Sequence, residues 1–289
     1  MQYRIVQYLQ PWEIDNFQRQ VDKMIESSYT IDKSNTIIWD VTLNLSIVDW
    51  NQSQMSKQYF IDKFKYLETI VGYYFTAEFD MDESIQGSGD KKRVCAEKEQ
   101  DYSIWLDSDI FFPVYTLPLL IATSQTLVGY DDRAIITPEI VRWWDASWDC
   151  IVNKKYITEP HEFRMSFDIY SLDSTTDSEF SIKKLEVPKF GAGWFTMLAK
   201  KVTDEIKIPI EGGPYGVDDT YFMICGQALG IKQYVTTGVT IAEMSTKFLT
   251  NKDYIKGLLH IKIKDKQVIS QDKYNELIRK FINEHKCII

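Results

Sequence analysis

Hydrophobic and polar positions split this chain into stretches of alternating character. RIVQYL (4–9) is an apolar, β-prone run that stops before Pro11, and it predicts a first strand. Behind it Ile14, Phe17, Val21, Met24 and Ile25 recur at helical spacing. TIIWDVTLN (36–44) predicts a second strand, with Asp40 at its middle or end. In SIWLDSDIFFP (103–113), alternation along an extended segment puts Ile104, Leu106 and Ser108 on one face and Trp105, Asp107 and Asp109 on the other. TPEIVRWWDASWDCIVN (137–153) offers Thr137 as cap and Pro138 at a first helical position, and so predicts a helix carrying Trp143, Trp144 and Trp148. KFGAGWFTMLAKKV (189–202) predicts a glycine turn at Gly191 and Gly193 followed by a helix. GGPYGVDDTYFMICGQALG (212–230) sets Asp218 and Asp219 at the start of another. The polar stretches 170–181 and 86–92 predict surface loops, and no internal repeat is evident.

Two carboxylates on one face at the end of a buried strand need a reason. A hard divalent cation supplies one, since Mg2+ or Mn2+ takes one or two carboxylates and leaves positions for substrate phosphates and water. The plainer reading is an acidic turn closed by Pro113.

Taken in order over residues 3–245, these pieces resemble the nucleotide-sugar glycosyltransferases of the GT-A fold, with Asp107-Ser108-Asp109 as the Asp-x-Asp motif. The resemblance implies an α/β protein with a Rossmann-like, mixed but mainly parallel sheet flanked by helices. It implies a single catalytic domain at 1–245, with a nucleotide-binding half at 1–112 and an acceptor half at 113–245, then a basic C-terminal extension at 246–289. The implied reaction is metal-dependent transfer of a hexosyl or pentosyl group from a nucleoside diphosphate sugar, UDP by family habit, to a hydroxyl on a glycan, a protein or a modified nucleic-acid base. Asp107 and Asp109 would hold Mn2+ or Mg2+, Asp109 more directly, with His260 in GLLHIKIKDK as candidate third ligand. Tyr8, Pro11, Asp40, Arg93, Asp107 and Ser108 would contact the donor, and Gly193 and Trp194 the acceptor. Asp219, or Asp218, would be the general base of an inverting enzyme; in a retaining one the pair would bind hydroxyls. Carboxylates there are also ordinary helix caps, and His260 beside Ile261 also reads as a structural histidine. The chain departs from the family at Val94, where an Asn usually follows the Arg, and at Val217 before the acidic pair.

Composition narrows the alternatives. At 289 residues and 44% hydrophobic, the chain suffices for one sizeable α/β core. Thirty-three Lys plus Arg against 42 Asp plus Glu give a net charge of -9, which disfavours broad attraction to nucleic acid. The segment from Lys247 onward is the exception, with basic residues in excess. Cys95, Cys150, Cys225 and Cys287 lie far apart without zinc-like spacing. No apolar run reaches the length of a membrane span and no signal peptide is evident, so a soluble cytoplasmic protein is expected. Two other functions remain open. One is a nucleotidyltransferase, although no glycine-rich basic signature follows the first strand; the other is a noncatalytic carbohydrate-binding protein.

Overall fold

The computed structural model of the chain describes residues 1–141, 151–153, 155, 180–185, 193–214, 219–244, 252–262 and 269–286. Asp218, Gly191, Trp143, Trp144, Trp148, His161, Cys150, Cys287 and most of the 170–181 stretch lie outside the described residues.

Strand β1 (Gln2–Leu9) is followed by a 3-10 turn at Pro11–Glu13 and by helix α1 (Ile14–Ser28). Strand β2 (Thr36–Leu43), helix α2 (Lys57–Val71), strand β3 (Thr76–Asp80), helix α3 (Ser88–Ala96) and strand β4 (Tyr102–Leu106) complete a first half. Its strands lie in the order β3-β2-β1-β4 and are all parallel. Then come β5 (Ile110–Phe111), α4 (Thr116–Leu127), β6 (Ala134–Ile140), β7 (Ile182–Lys184), β8 (Phe195–Ala199), α5 (Lys200–Glu205), α6 (Asp219–Ala228), β9 (Lys232–Glu243), α7 (Lys252–Leu258) and α8 (Gln271–Glu284). The sheet continues from β4 through β8, β6, β9 and β5, with β7 also on β9. Strand β8 is antiparallel to both its neighbours, whereas β6 and β9 are parallel. This is the expected mixed α/β sheet flanked by helices.

Strands β1, β2, β4 and β8 are buried along almost their whole length because both faces of the sheet are covered there. Trp39 meets Phe17 of α1, while its neighbour Asp40 meets Lys91 and Cys95 of α3, and successive strand residues point to opposite faces. Helix α1 earns its place through a buried stripe of Ile14, Phe17, Val21 and Met24; α2 is capped by Ser56, whose hydroxyl accepts from Gln58 N–H, and buries Phe60, Phe64 and Leu67.

Three sequence expectations give way. Residues 134–140 form a strand, so the helix does not start at Thr137: Pro138 sits at a register shift against β9, one of the few places where a sheet tolerates proline. Phe195–Ala199 is a strand wedged between β4 and β6 and buried throughout, and helix α5 begins only at Lys200. An apolar run of that length carries no period that separates strand from helix. Finally, β4 stops at Leu106, so Asp107 to Asp109 form a turn and the alternation does not reach Asp109. From the 246–289 stretch, the expected basic C-terminal extension, Ile255, Leu259, Leu277 and Phe281 pack into the same core as the sheet. No helix among the described residues is long and apolar enough to cross a membrane.

Candidate active site

The carboxyl end of β4 lies between β1 and β8, and because β8 runs antiparallel, its first residues arrive where β4 ends. Asp107 and Trp194 lock there. The Asp107 N–H donates to the Trp194 carbonyl at 2.9 Å, and the Trp194 N–H donates to Asp107 Oδ2, also at 2.9 Å. Trp194 takes φ 58°, a left-handed conformation that costs a bulky residue energy, and these two bonds hold it there. Trp194 packs in the core and is 8% exposed, so little of it is open to the acceptor it was expected to contact.

Gly193, at φ 150°, explains its own identity. A Cβ on it would stand 2.8 Å from Oδ2 of Asp219, the first residue of α6. Asp107, Gly193, Trp194 and Asp219 thus converge from three distant stretches of sequence. Lys92 joins them: it is almost wholly buried, its ammonium lies 3.3 Å from Asp219 Oδ1 and 4.6 Å above the centroid of the Trp105 ring, and Trp105 meets Phe222 of α6 edge-on. Nothing in the sequence marks Lys92 for this role, because a Lys-Lys-Arg run after glycines looks like a solvated loop. A cavity of about 700 Å³ opens beside Lys92, Trp105 and Phe222, walled on its far side by Ile206 and Ile208.

The turn is held from the other face as well. Gln20 of α1 donates to the carbonyls of Asp107 (2.9 Å) and Ile110 (2.8 Å), and Met244 N–H donates to the Asp109 carbonyl at 2.7 Å. Ser108 is buried on this α1 side, where it lines a second, smaller cavity with Asn16 and Lys23.

The remaining candidates are placed elsewhere or are otherwise engaged. Asp40 is fully buried and does not reach a ligand: it pairs with Arg4 (2.7 Å), Lys98 (2.7 Å) and Lys91, and Cys95 Sγ–H donates to it at 3.3 Å. Burial alone would push its carboxyl up; the Lys91 ammonium, with hydrogen bonds from Lys91 and Lys98, outweighs this and holds it at about 2. Burial, with the Asp40 charge nearby, drives the Cys95 thiol up to about 12. Asp80 and Glu78 of β3 are part-exposed carboxylates of this cluster: Asp80 accepts from Thr42 Oγ1 at 2.6 Å and lies 3.4 Å from Lys91, and Glu78 pairs with Arg4 at 2.5 Å and Lys98 at 3.0 Å. Arg93 is not free for a base or phosphate, since it pairs with Asp90 and donates to the carbonyls of Pro209 (3.2 Å) and Gly213 (3.4 Å). Gly87 answers to packing, because a Cβ there would lie 2.1 Å from the Pro214 carbonyl oxygen. Tyr8 accepts from Asn44 Nδ2, and Pro11 is buried in the 3-10 turn.

His260 is exposed, and its carbonyl accepts from Asp49 N–H at 2.7 Å, where Ile261 bridges Val48. Among the described residues no three His, Cys, Asp or Glu side chains gather to hold an ion, so Asp107, Asp109 and His260 are not a three-ligand set. Asp107 and Asp109 share one turn and offer only oxygen donors, the donor type that hard cations take, with Asp107 Oδ2 already accepting from the Trp194 amide.

No protein-family model matches the chain. No curated protein matches it either. Among solved structures it is similar to S. aureus TarS 1-349, with 10% identity over 99% of this chain and 72% of that one and a TM-score of 0.46. The same figures hold for TarS 1-349 in complex with UDP. For the complex with UDP-GlcNAc they are 9% identity, the same coverage and a TM-score of 0.44.

Proposed function

We propose that the chain is a GT-A-type glycosyltransferase that moves a hexosyl or pentosyl group from a nucleoside diphosphate sugar, a UDP-sugar first among them, to an acceptor hydroxyl, using Mn2+ or Mg2+. The observation that carries this reading is the meeting of the Asp107 turn, the Gly193–Trp194 turn and Asp219 at the carboxyl end of β4. Ligands of open α/β sheets bind at such strand ends.

In this mechanism Asp219, whose side chain is half exposed, takes the proton of the acceptor hydroxyl as it attacks the anomeric carbon. Lys92 and the missing Cβ of Gly193 fix where that carboxylate stands. Asp107, pinned through Oδ2 to the Trp194 amide, orients the turn, and Asp109 with Asp107 would hold the cation. When bound, that cation neutralises charge on the departing diphosphate.

The test is a thermal-shift series with UDP and UDP-sugars, with and without Mn2+, because a ligand that binds the folded state raises its apparent stability. A Mn2+-dependent shift, lost in Asp109→Ala while the fold survives, is expected. Asp219→Asn should keep the shift and lose about 10²-fold or more of transfer. Near-normal turnover in Asp109→Ala would sink the metal assignment. Release of pyrophosphate from a nucleoside triphosphate would favour a nucleotidyltransferase, and sugar binding without transfer or donor hydrolysis a carbohydrate-binding protein.

A further inference from the structure

The buried face of α1 carries a polar residue where a stripe of Phe17, Val21 and Met24 leads one to expect an apolar one. Gln20 is 4% exposed, and both of its amide functions are used. Trp39 Nε1–H donates to Gln7 Oε1 at 3.0 Å, Gln7 Nε2–H donates to Gln20 Oε1 at 2.5 Å, and Gln20 Nε2 donates to the carbonyls of Asp107 and Ile110. An indole can only donate and a carbonyl can only accept, so this chain has one workable direction. Reversing either amide would set donor against donor at one end and acceptor against acceptor at the other. The chain runs from the middle of β2, across β1 and α1, to the turn that carries both carboxylates, and Gln7 and Trp39 are as deeply buried as Gln20. Unpaired amides at that depth would be costly, which favours a single arrangement of the whole series.

We propose that Gln20 is a positioning residue for the Asp107–Ile110 turn, fixed in orientation by Gln7 and Trp39, and that it sets how strongly the turn takes a divalent cation and a diphosphate. The assignment of those ligands rests on the function proposed above; the ordering of the turn does not. Trp194 and Met244 reach the turn through backbone groups, which any residue supplies. Gln20 reaches two of its carbonyls through a side chain that substitution can remove.

The experiment compares the wild type with Gln20→Met, which keeps the length and loses the amide, and with Trp39→Phe, which removes the donor at the far end and touches nothing at the turn. Hydrogen exchange is measured without ligand, and the Mn2+ concentration giving half of the UDP-induced thermal shift is measured beside it. Gln20→Met should raise exchange at the Ile110, Trp194 and Met244 amides, leave α2 and β3 as they were, and raise the half-saturating Mn2+ about tenfold, as loss of one or two net hydrogen bonds predicts. Trp39→Phe should move the same quantities in the same direction by less. Unchanged exchange at those three amides, an increase spread evenly over the sheet, or an unchanged Mn2+ half-saturation in Gln20→Met would each overturn the proposal. If the wild type binds no UDP with Mn2+, the proposed function falls, and the exchange pattern still decides whether Gln20 orders the turn.

Discussion

Asp40 sits among three cations at the heart of the parallel half, and its value lies in stability. Asparagine there would take away the buried anion that Arg4 and Lys91 share and leave them the part-exposed Glu78 and Asp80, a loss at the low end of the roughly 3–5 kcal/mol seen for broken buried pairs, readable by urea unfolding. The same carboxylate gives the folded state a pH dependence. Its folded value of about 2 lies below the ordinary carboxylate value, so its contribution is complete above about pH 4 and fades as pH falls through 2. That amounts to roughly 2 kcal/mol, and unfolding midpoints measured between pH 5 and 2 should show this component in the wild type and not in Asp40→Asn. Cys95, protonated and buried beside it, should resist alkylation in the native protein and react only on unfolding. The sequence marked Asp40 as notable for its place on a strand. It could not show that Lys91, read as part of a surface loop, turns inward to it from α3, or that Lys98 joins it there.

Glycine positions decide at the level of elements. Gly193→Ala should cost more than its size suggests, because the added methyl meets the Asp219 carboxylate and the backbone is at φ 150°. The expected result is a loss of transfer well beyond tenfold with UDP-induced stabilisation largely kept, measured by initial rates beside thermal shift. Elements with a clean period were legible beforehand: α1 from its apolar stripe, β1 and β2 from their β-branched runs, and α6 from the acids that open it. Two others were not, for a physical reason. Thr137-Pro138 satisfies the local rules for a helix start, yet β9 pairs with an extended chain through both residues, β8 holds Ile135 and Ile136 just before them, and a register shift absorbs the proline. Phe195–Ala199 is apolar on both faces because both faces are covered, which erases the alternation that marks a strand.

Across the whole molecule, the last described helices are part of the fold. Phe281 of α8 meets Tyr221 of α6, and Lys256 of α7 lies over Trp12 beside the end of β1. Deleting everything from Lys252 onward should therefore lower the melting temperature by many degrees or leave the protein insoluble, which a melt of the truncated chain would check. The mixed α/β sheet flanked by helices was legible in the sequence, since the order of apolar strands and periodic helices is written along the chain. The network that seats the turn was not, because it joins Trp39, Gln7, Gln20 and Asp107 across four elements. The threading of β8 between β4 and β6 has a further consequence for biosynthesis. Both neighbours leave the ribosome before the strand that separates them, so a nascent chain carries two unpaired edges until Phe195–Ala199 is made. The strand that closes that slot also brings Gly193 and Trp194 to Asp107, while Asp219 and β9, which covers the other edge of β6, follow it in the chain, so the site and the sheet are both completed only by the last third of synthesis.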